Sequence, residues 1–348
     1  MKRLIPCLFA ALFASTLAQA NDKPYPPVRI AWTLYVGSMP LGYAQDTGIL
    51  KKWGERYGVD LQAVQVNDYI EAINQYSLGE FDGVIAMLLD ALTIPAAAGV
   101  DTSVPLLLST SMGNDGLIVK GSQDIASLKG QNVNLVQFSG SHYLLARALE
   151  RAGLSERDLQ VVNTSDADMI AVFPDRSVKA MATWQPQLAA ILDGNPDSHL
   201  AFSSADIPGE ISDGLLLHTT LLKDNPGVAK ALAGAWHEVM EILATPGERR
   251  DEAVAQMAEA AGTDAPGFEK QLQTTHFYGP AEGAAFVASQ EFRQGLARIT
   301  EFSFKHGLLG EGADSPDAIG IDYQGSIVGN TQRTGLRFPS QYMQEAGQ

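Results

Sequence analysis

The chain alternates short apolar runs with stretches of helical spacing, and it starts that rhythm twice. In the first pass, residues 28–33, 61–66, 84–87 and 104–109 read as strands. Helical segments separate them at 41–57, with a weak point at Gly48, and at 69–78 and 91–98. After residue 119 the pattern begins again, with strands at 133–136, 159–162 and 179–183 and helices at 141–152, 167–173 and 186–192. Such an order predicts two α/β units, each a mostly parallel sheet with helices on both faces. From 228 onward the spacing is helical, over 228–243, 248–261 and 280–306.

The two passes are bounded by a near repeat. GNDGLIV at 113–119 returns as ISDGLLL at 211–217, each an acidic corner followed by an apolar run. A second lobe inserted into a first needs two chain crossings, and these segments are placed to supply them. On that reading they lie side by side as extended strands at a hinge, with both acidic corners at the floor of a cleft. Each aspartate is followed by a glycine, which permits backbone turns that other residues resist. The alternative is a pair of ordinary Asx-type turns leading into core strands. The expected division is a leader at 1–20, a first lobe of 21–114 with 214–348, and a second lobe of 115–213.

Residues 1–20 have the form of a cleaved secretory leader: Lys2 and Arg3, an apolar stretch from Leu4, then Ala18-Gln19-Ala20. The apolar stretch is too short and wrongly flanked for a membrane span. The sole cysteine, Cys7, falls inside this leader. The exported chain therefore has no thiol for disulfides, catalysis or metal, and the expected location is the periplasm. The formal charge is −16, two units more negative once Lys2 and Arg3 are gone. Nucleic acid and anionic membranes repel such a chain.

Several stretches carry a resemblance: WTLYVGSMPLGYAQDTGILKKWGERYGV, VNDYIEAINQYSLGEFDGV, LDALTIPAAAGVD, SHYLLARALERAGL, VVNTSDADM, TWQPQL and FSFKHGLLGEG, with LRFPSQYM near the end. Together they resemble the substrate-binding proteins of urea-type ABC importers encoded beside urea carboxylase. These lie within the broader group that binds nitrate, taurine, aliphatic sulfonates and thiamine precursors. The resemblance implies a two-lobed α/β periplasmic binding protein of the type II, Venus-flytrap class with two hinge crossings. It implies a monomer that works with an inner-membrane ABC permease and its cytoplasmic ATPase, and a ligand that is urea or guanidine.

In open α/β sheets ligands sit beyond the carboxyl ends of strands. Strand ends supply Trp32 and Tyr35 after the first strand, Asp90 after the third, and Asn114, Asp115 and Asp213 at the corners. The second unit adds Ser139 before its first helix and Trp184 after the strand at 179–183. Each has a structural reading too: Asp90 as a helix N-cap, Asp115 and Asp213 as turn closers, Trp184 as core. The set holds three carboxylates and two indoles but no Lys or Arg. It suits a cation or a donor-rich neutral solute better than a sulfonate or nitrate. Guanidinium, planar and all donor, fits carboxylates in pairs and an aromatic face.

Enzyme motifs are missing from the sequence: GxSxG, HExxH, the P-loop, GxGxxG and CxxC. No cofactor is expected. The six histidines are scattered without metal-ligand spacing, so no metal site is expected either. Relatives that make the thiamine pyrimidine use a cysteine-rich motif that this chain lacks. The expectation is a binding protein, not an enzyme.

Overall fold

A computed structural model describes residues 27–121 and 124–345; the leader expected at 1–20 lies outside them. Two sheets organise the molecule. The first unit opens with strands β1 (Val28–Trp32), β2 (Leu61–Gln65), β3 (Gly83–Met87) and β4 (Thr102–Ser111). The second contains β5 (Asp115–Lys120), β6 (Asn132–Leu135), β7 (Gln160–Asn163), β8 (Ala180–Trp184) and β9 (Ser198–Ser203). The chain then returns through β10 (Ser212–His218) and adds β11 (Thr275–Phe277), β12 (Gly320–Tyr323), β13 (Ser326–Val328) and β14 (Thr334–Arg337). The sheet orders are β13-β12-β14-β4-β10-β3-β1-β2, with β11 beside β4, and β7-β6-β8-β5-β9.

The sheets are more mixed than the sequence rhythm implies. β1 pairs in parallel with β2 and β3, and β6 with β7 and β8. But β10 is antiparallel to both β3 and β4, and β5 is antiparallel to both β8 and β9. Geometry explains the reversal. A strand arriving from the other unit enters its sheet at the cleft end, where the local strands finish, so it must run against them.

The two look-alike segments therefore do not pair as strands. GNDGLIV feeds β5 in the second sheet and ISDGLLL forms β10 in the first. What lies side by side is the chain between the sheets. Ser111 N–H donates to Ile211 O at 2.9 Å, Ser111 Oγ meets Ser204 Oγ at 2.6 Å, and Gly113 N–H donates to Ser204 Oγ at 2.7 Å. Glycines 116 and 214 are not turn residues: neither has positive φ, whereas Gly113, one residue before Asn114, has φ 110°. They are spaces. A Cβ at Gly214 would stand 2.5 Å from Val104 Cγ1, and one at Gly116 would strike Leu200 Cδ1.

Other elements differ in detail. The segment expected as one helix from 41 divides at Gly48, φ 75°, into helices Met39–Asp46 and Ile49–Tyr57. The helix expected at 91–98 starts earlier, as Leu88–Ala91, and widens to a π-helical turn, Leu92–Ala96, that accommodates Pro95. The run at 280–306 is two helices, Pro280–Ala288 and Gln290–Lys305, with Ser289 capping the second through Phe292 N–H at 3.1 Å. No described helix is long and apolar enough to cross a membrane.

Candidate binding site between the lobes

A cavity of about 30 Å³ lies where the ends of β1, β3, β5, β8 and β10 converge. Its walls include Tyr35, Tyr69, Asp90, Asp115, Trp184 and Asp213, with the backbone of Gly140 closing one side. Five of the eight sequence candidates meet here: Tyr35, Asp90, Asp115, Trp184 and Asp213.

The other three are engaged elsewhere. Trp32 is buried with its indole against Gly42 in the first-lobe core, because strand alternation turns it off the cavity. Asn114 ties the first crossing to both lobes: its amide donates to Thr275 Oγ1 at 2.6 Å and its Oδ1 accepts from Gln185 N–H at 3.3 Å. Ser139 caps the helix Gly140–Arg151. Its Oγ accepts from Ser141 N–H at 3.2 Å and donates to Val136 O at 2.8 Å. Tyr69 is the residue whose contribution the strand-end rule does not identify, since it begins a helix, Tyr69–Ser77. Its signal in the sequence is Asp68, an N-cap that accepts from Glu71 N–H at 2.9 Å and so fixes where Tyr69 points.

The carboxyls are held by tyrosines and by chain reversal. Tyr35 OH donates to Asp213 Oδ2 at 3.0 Å, and Tyr69 OH donates to Asp90 Oδ2 at 2.6 Å while accepting from Met87 N–H at 3.0 Å. Asp90 does not cap its helix; Met87 holds that position. The Gly140 N–H, at the start of the second-lobe helix, lies on the Asp90 side of the cavity and favours the charged form of that carboxyl. Asp90 Oδ1, Asp115 Oδ2 and the Trp184 indole N–H have no hydrogen-bond partner among the described residues. The Trp184 ring stands edge-on to Tyr69, centroids 5.5 Å apart at 63°.

Burial dominates the electrostatics. Asp90 is pushed up to about 7, chiefly by loss of water, against the pull of Tyr69 OH and Gly140 N–H. Asp115 is raised to about 6 by burial. Asp213 is raised to about 8 by burial and then by the charge of Asp115, with Tyr35 OH opposing. No Lys or Arg is among the residues lining the cavity to relieve them. Three like carboxyls in one desolvated space cannot all be ionised near neutral pH. They either share protons or take up a cation.

Bonds between the lobes close the space. Ser165 Oγ donates to Asp68 Oδ2 at 2.7 Å, Tyr69 N–H to Asp166 Oδ1 at 3.3 Å, and Val36 N–H to Gln185 O at 3.3 Å.

Known proteins place this geometry in a fold. The alkanesulfonate-binding protein SsuA of Xanthomonas axonopodis pv. citri, solved with MOPS bound, superposes with a TM-score of 0.68 at 18% identity, over 81% of this chain and 94% of that one. The periplasmic nitrate-binding protein NrtA of Synechocystis PCC 6803 gives 0.67 at 12% identity, over 92% and 88%. In sequence, an Escherichia coli (strain K12) protein named for aliphatic sulfonate binding is 32% identical over 149 residues, 41% of this chain and 43% of its own. The family described as NMT1/THI5 like matches residues 114–248. That span runs from the first crossing through the second lobe and beyond the return crossing, and the described fold as a whole is that of the two-lobed α/β periplasmic binding proteins.

Proposed function

We propose that the chain is the periplasmic solute-binding component of an ABC importer, taking up a small, planar, nitrogen-rich solute, guanidinium in preference to urea. The observation that carries this reading is the cavity wall itself. Asp90 and Asp115 each carry a partnerless carboxylate oxygen, and both line a space that no Lys or Arg lines. Guanidinium supplies N–H donors in pairs to such oxygens, restores the charge balance, and offers a flat face to Trp184 and Tyr69.

Size argues against a larger sulfonate, and charge against nitrate. A cavity of about 30 Å³ has room for about two water molecules, which suits a solute of few heavy atoms better than an alkanesulfonate. An anion meets a further obstacle. The helix N-terminus at Gly140 is the anion-favouring helix end in the cleft, and the protein's own Asp90 carboxyl lies beside it on the cavity wall.

A second reading has its own support, since curated relatives are named for taurine and sulfonates. Taurine carries an ammonium that could meet the carboxyls, so it belongs in the test. The experiment is calorimetric titration of the purified protein with guanidine, urea, taurine and nitrate in one low-salt buffer. Guanidine is expected to bind with a Kd near tens of micromolar, because a four-atom ligand gains at most about 6 kcal/mol, with some excess from the charge. Heat only with taurine or nitrate overturns the cation reading. Heat with urea alone makes the carboxyls neutral acceptors.

A further inference from the structure

Three groups far apart in the sequence converge at the seam between the lobes. His142 lies on the second-lobe helix Gly140–Arg151, Glu156 follows that helix, and His306 ends the first-lobe helix Gln290–Lys305. One donor atom from each falls within a 4.8 Å sphere of the others. His142 Nε2 is 3.1 Å from Glu156 Oε2, and His306 Nε2 is 3.0 Å from Glu156 Oε1. Ligands around a tetrahedral zinc with bonds of 2.0–2.1 Å stand about 3.3 Å apart, so these spacings are close to those of an assembled site.

We propose that Glu156, His306 and His142 form a site for a divalent ion of the zinc class that clasps the two lobes together. Two imidazoles and a carboxylate are the donor set of open, three-ligand zinc sites, leaving a fourth position for water. The outer partners are partly in place. His306 Nδ1 sits 2.8 Å from the carbonyl of Phe302; a carbonyl only accepts, so Nδ1 carries a proton and Nε2 is the nitrogen left for the ion. An entry path exists, because Glu156 and His306 face a groove of about 670 Å³ also lined by Tyr143, Arg147 and Phe302. The cations lining that groove are already committed: Lys305 pairs with Glu301 at 3.6 Å, and Arg147 and Arg298 pair with Glu210 at 2.9 and 3.3 Å.

His142 must change its proton to take part. Phe138 N–H donates to His142 Nδ1 at 3.0 Å, which puts the ring proton on Nε2, facing Glu156. Binding an ion at Nε2 moves that proton to Nδ1 and releases Phe138, while His306 gives its Nε2 proton to solvent. Phe138 is a non-glycine residue at φ 67° and 40% exposed, so the bond given up belongs to a strained, solvent-facing residue. Glu156 and His142 both belong to the second lobe, so His306 is the ligand that closure brings to them.

The test is titration of the untagged protein with zinc alone, by calorimetry and by thermal melting. One zinc per chain with micromolar affinity is expected, with a rise in Tm. Both should fall about tenfold or more in effect in His306→Ala and in Glu156→Gln, while His237→Ala, a histidine on another face, leaves them unchanged. No stoichiometric binding up to about 100 µM zinc, or binding undiminished in both His306→Ala and Glu156→Gln, overturns the site. Guanidine titration of the same variants keeps the outcome separate from the central cavity, whose residues they do not touch.

Discussion

At the scale of single residues, the central cavity pits stability against binding. Asp213 is the most reluctant of the three carboxyls to ionise, through burial first and then through the charge of Asp115. Asp213→Asn removes that repulsion and keeps an acceptor for Tyr35 OH. At about pH 8 the ligand-free variant is expected to melt roughly 2–4 °C higher than the parent, the equivalent of about 1 kcal/mol. The same change should weaken guanidinium by roughly tenfold to a hundredfold, the worth of a charge-assisted hydrogen bond, and leave urea nearly unaffected. Melting curves and titrations of one preparation read both. Equal loss of guanidine and urea would mean that shape, not charge, is what Asp213 contributes. The sequence made Asp90, Asp115 and Asp213 visible as carboxyls at strand ends. It did not reveal that Asn114 and Ser139, equally placed, spend their polar atoms on the first crossing and a helix start. Whether a polar side chain faces ligand or backbone depends on partners that only folding brings near.

At the scale of elements, the repeated Asp-Gly pair shows how a correct pattern can have a different cause. Gly116 and Gly214 follow their aspartates at the mouths of β5 and β10, yet both have ordinary backbone angles and exist for close packing. The two sites differ in what they press against. A Cβ at Gly214 meets Val104 in the buried centre of the first sheet, with Leu106 O at 3.4 Å behind it. At Gly116 the closest obstacle is the end of Leu200, a side chain 42% exposed, with buried Leu188 behind it at 3.2 Å. Gly214→Ala is therefore expected to cost about 1–3 kcal/mol by overpacking, and Gly116→Ala distinctly less. Urea denaturation midpoints separate them, and the reverse ranking would refute the packing account. The alternating units were legible because strands such as β1 and β3 are apolar and of ordinary length. The strands β11 to β14 are three or four residues long and went unread because, unlike the equally short β6 and β7, they do not fall in a regular alternation of strand and helix. They are specified by their neighbours: β14 joins the sheet only by pairing with β4 and β12.

At the scale of the whole molecule, the buried carboxyls couple the protein's stability to pH, and the sign distinguishes this cleft from one built for anions. Asp213 at about 8, Asp90 at about 7, and Asp115 and Asp166 at about 6 all lie above their unfolded value of 3.8. The folded state thus holds protons that the unfolded chain has released. Its contribution is complete below about 3.8 and is lost as pH rises from there, the loss ending near 8 when Asp213 ionises in the folded state. His237 works the other way, held down at about 4 by burial, but its effect is confined to pH below its unfolded value of 6.5. Between pH 6.5 and 8.5 the carboxyls of the cleft dominate, and the melting temperature of the ligand-free protein should fall. A bound guanidinium reverses the balance, since it needs the ionised carboxylates. The increment that a fixed concentration of guanidine adds to the melting temperature should accordingly grow across the same range, as protons cease to compete. An anion would show the opposite trend, held best when the carboxyls are neutral. Melting scans at four pH values, each with and without guanidine and taurine, distinguish these cases. A guanidine increment that shrinks with rising pH would mean that the carboxyls of the cleft are not where the cation binds.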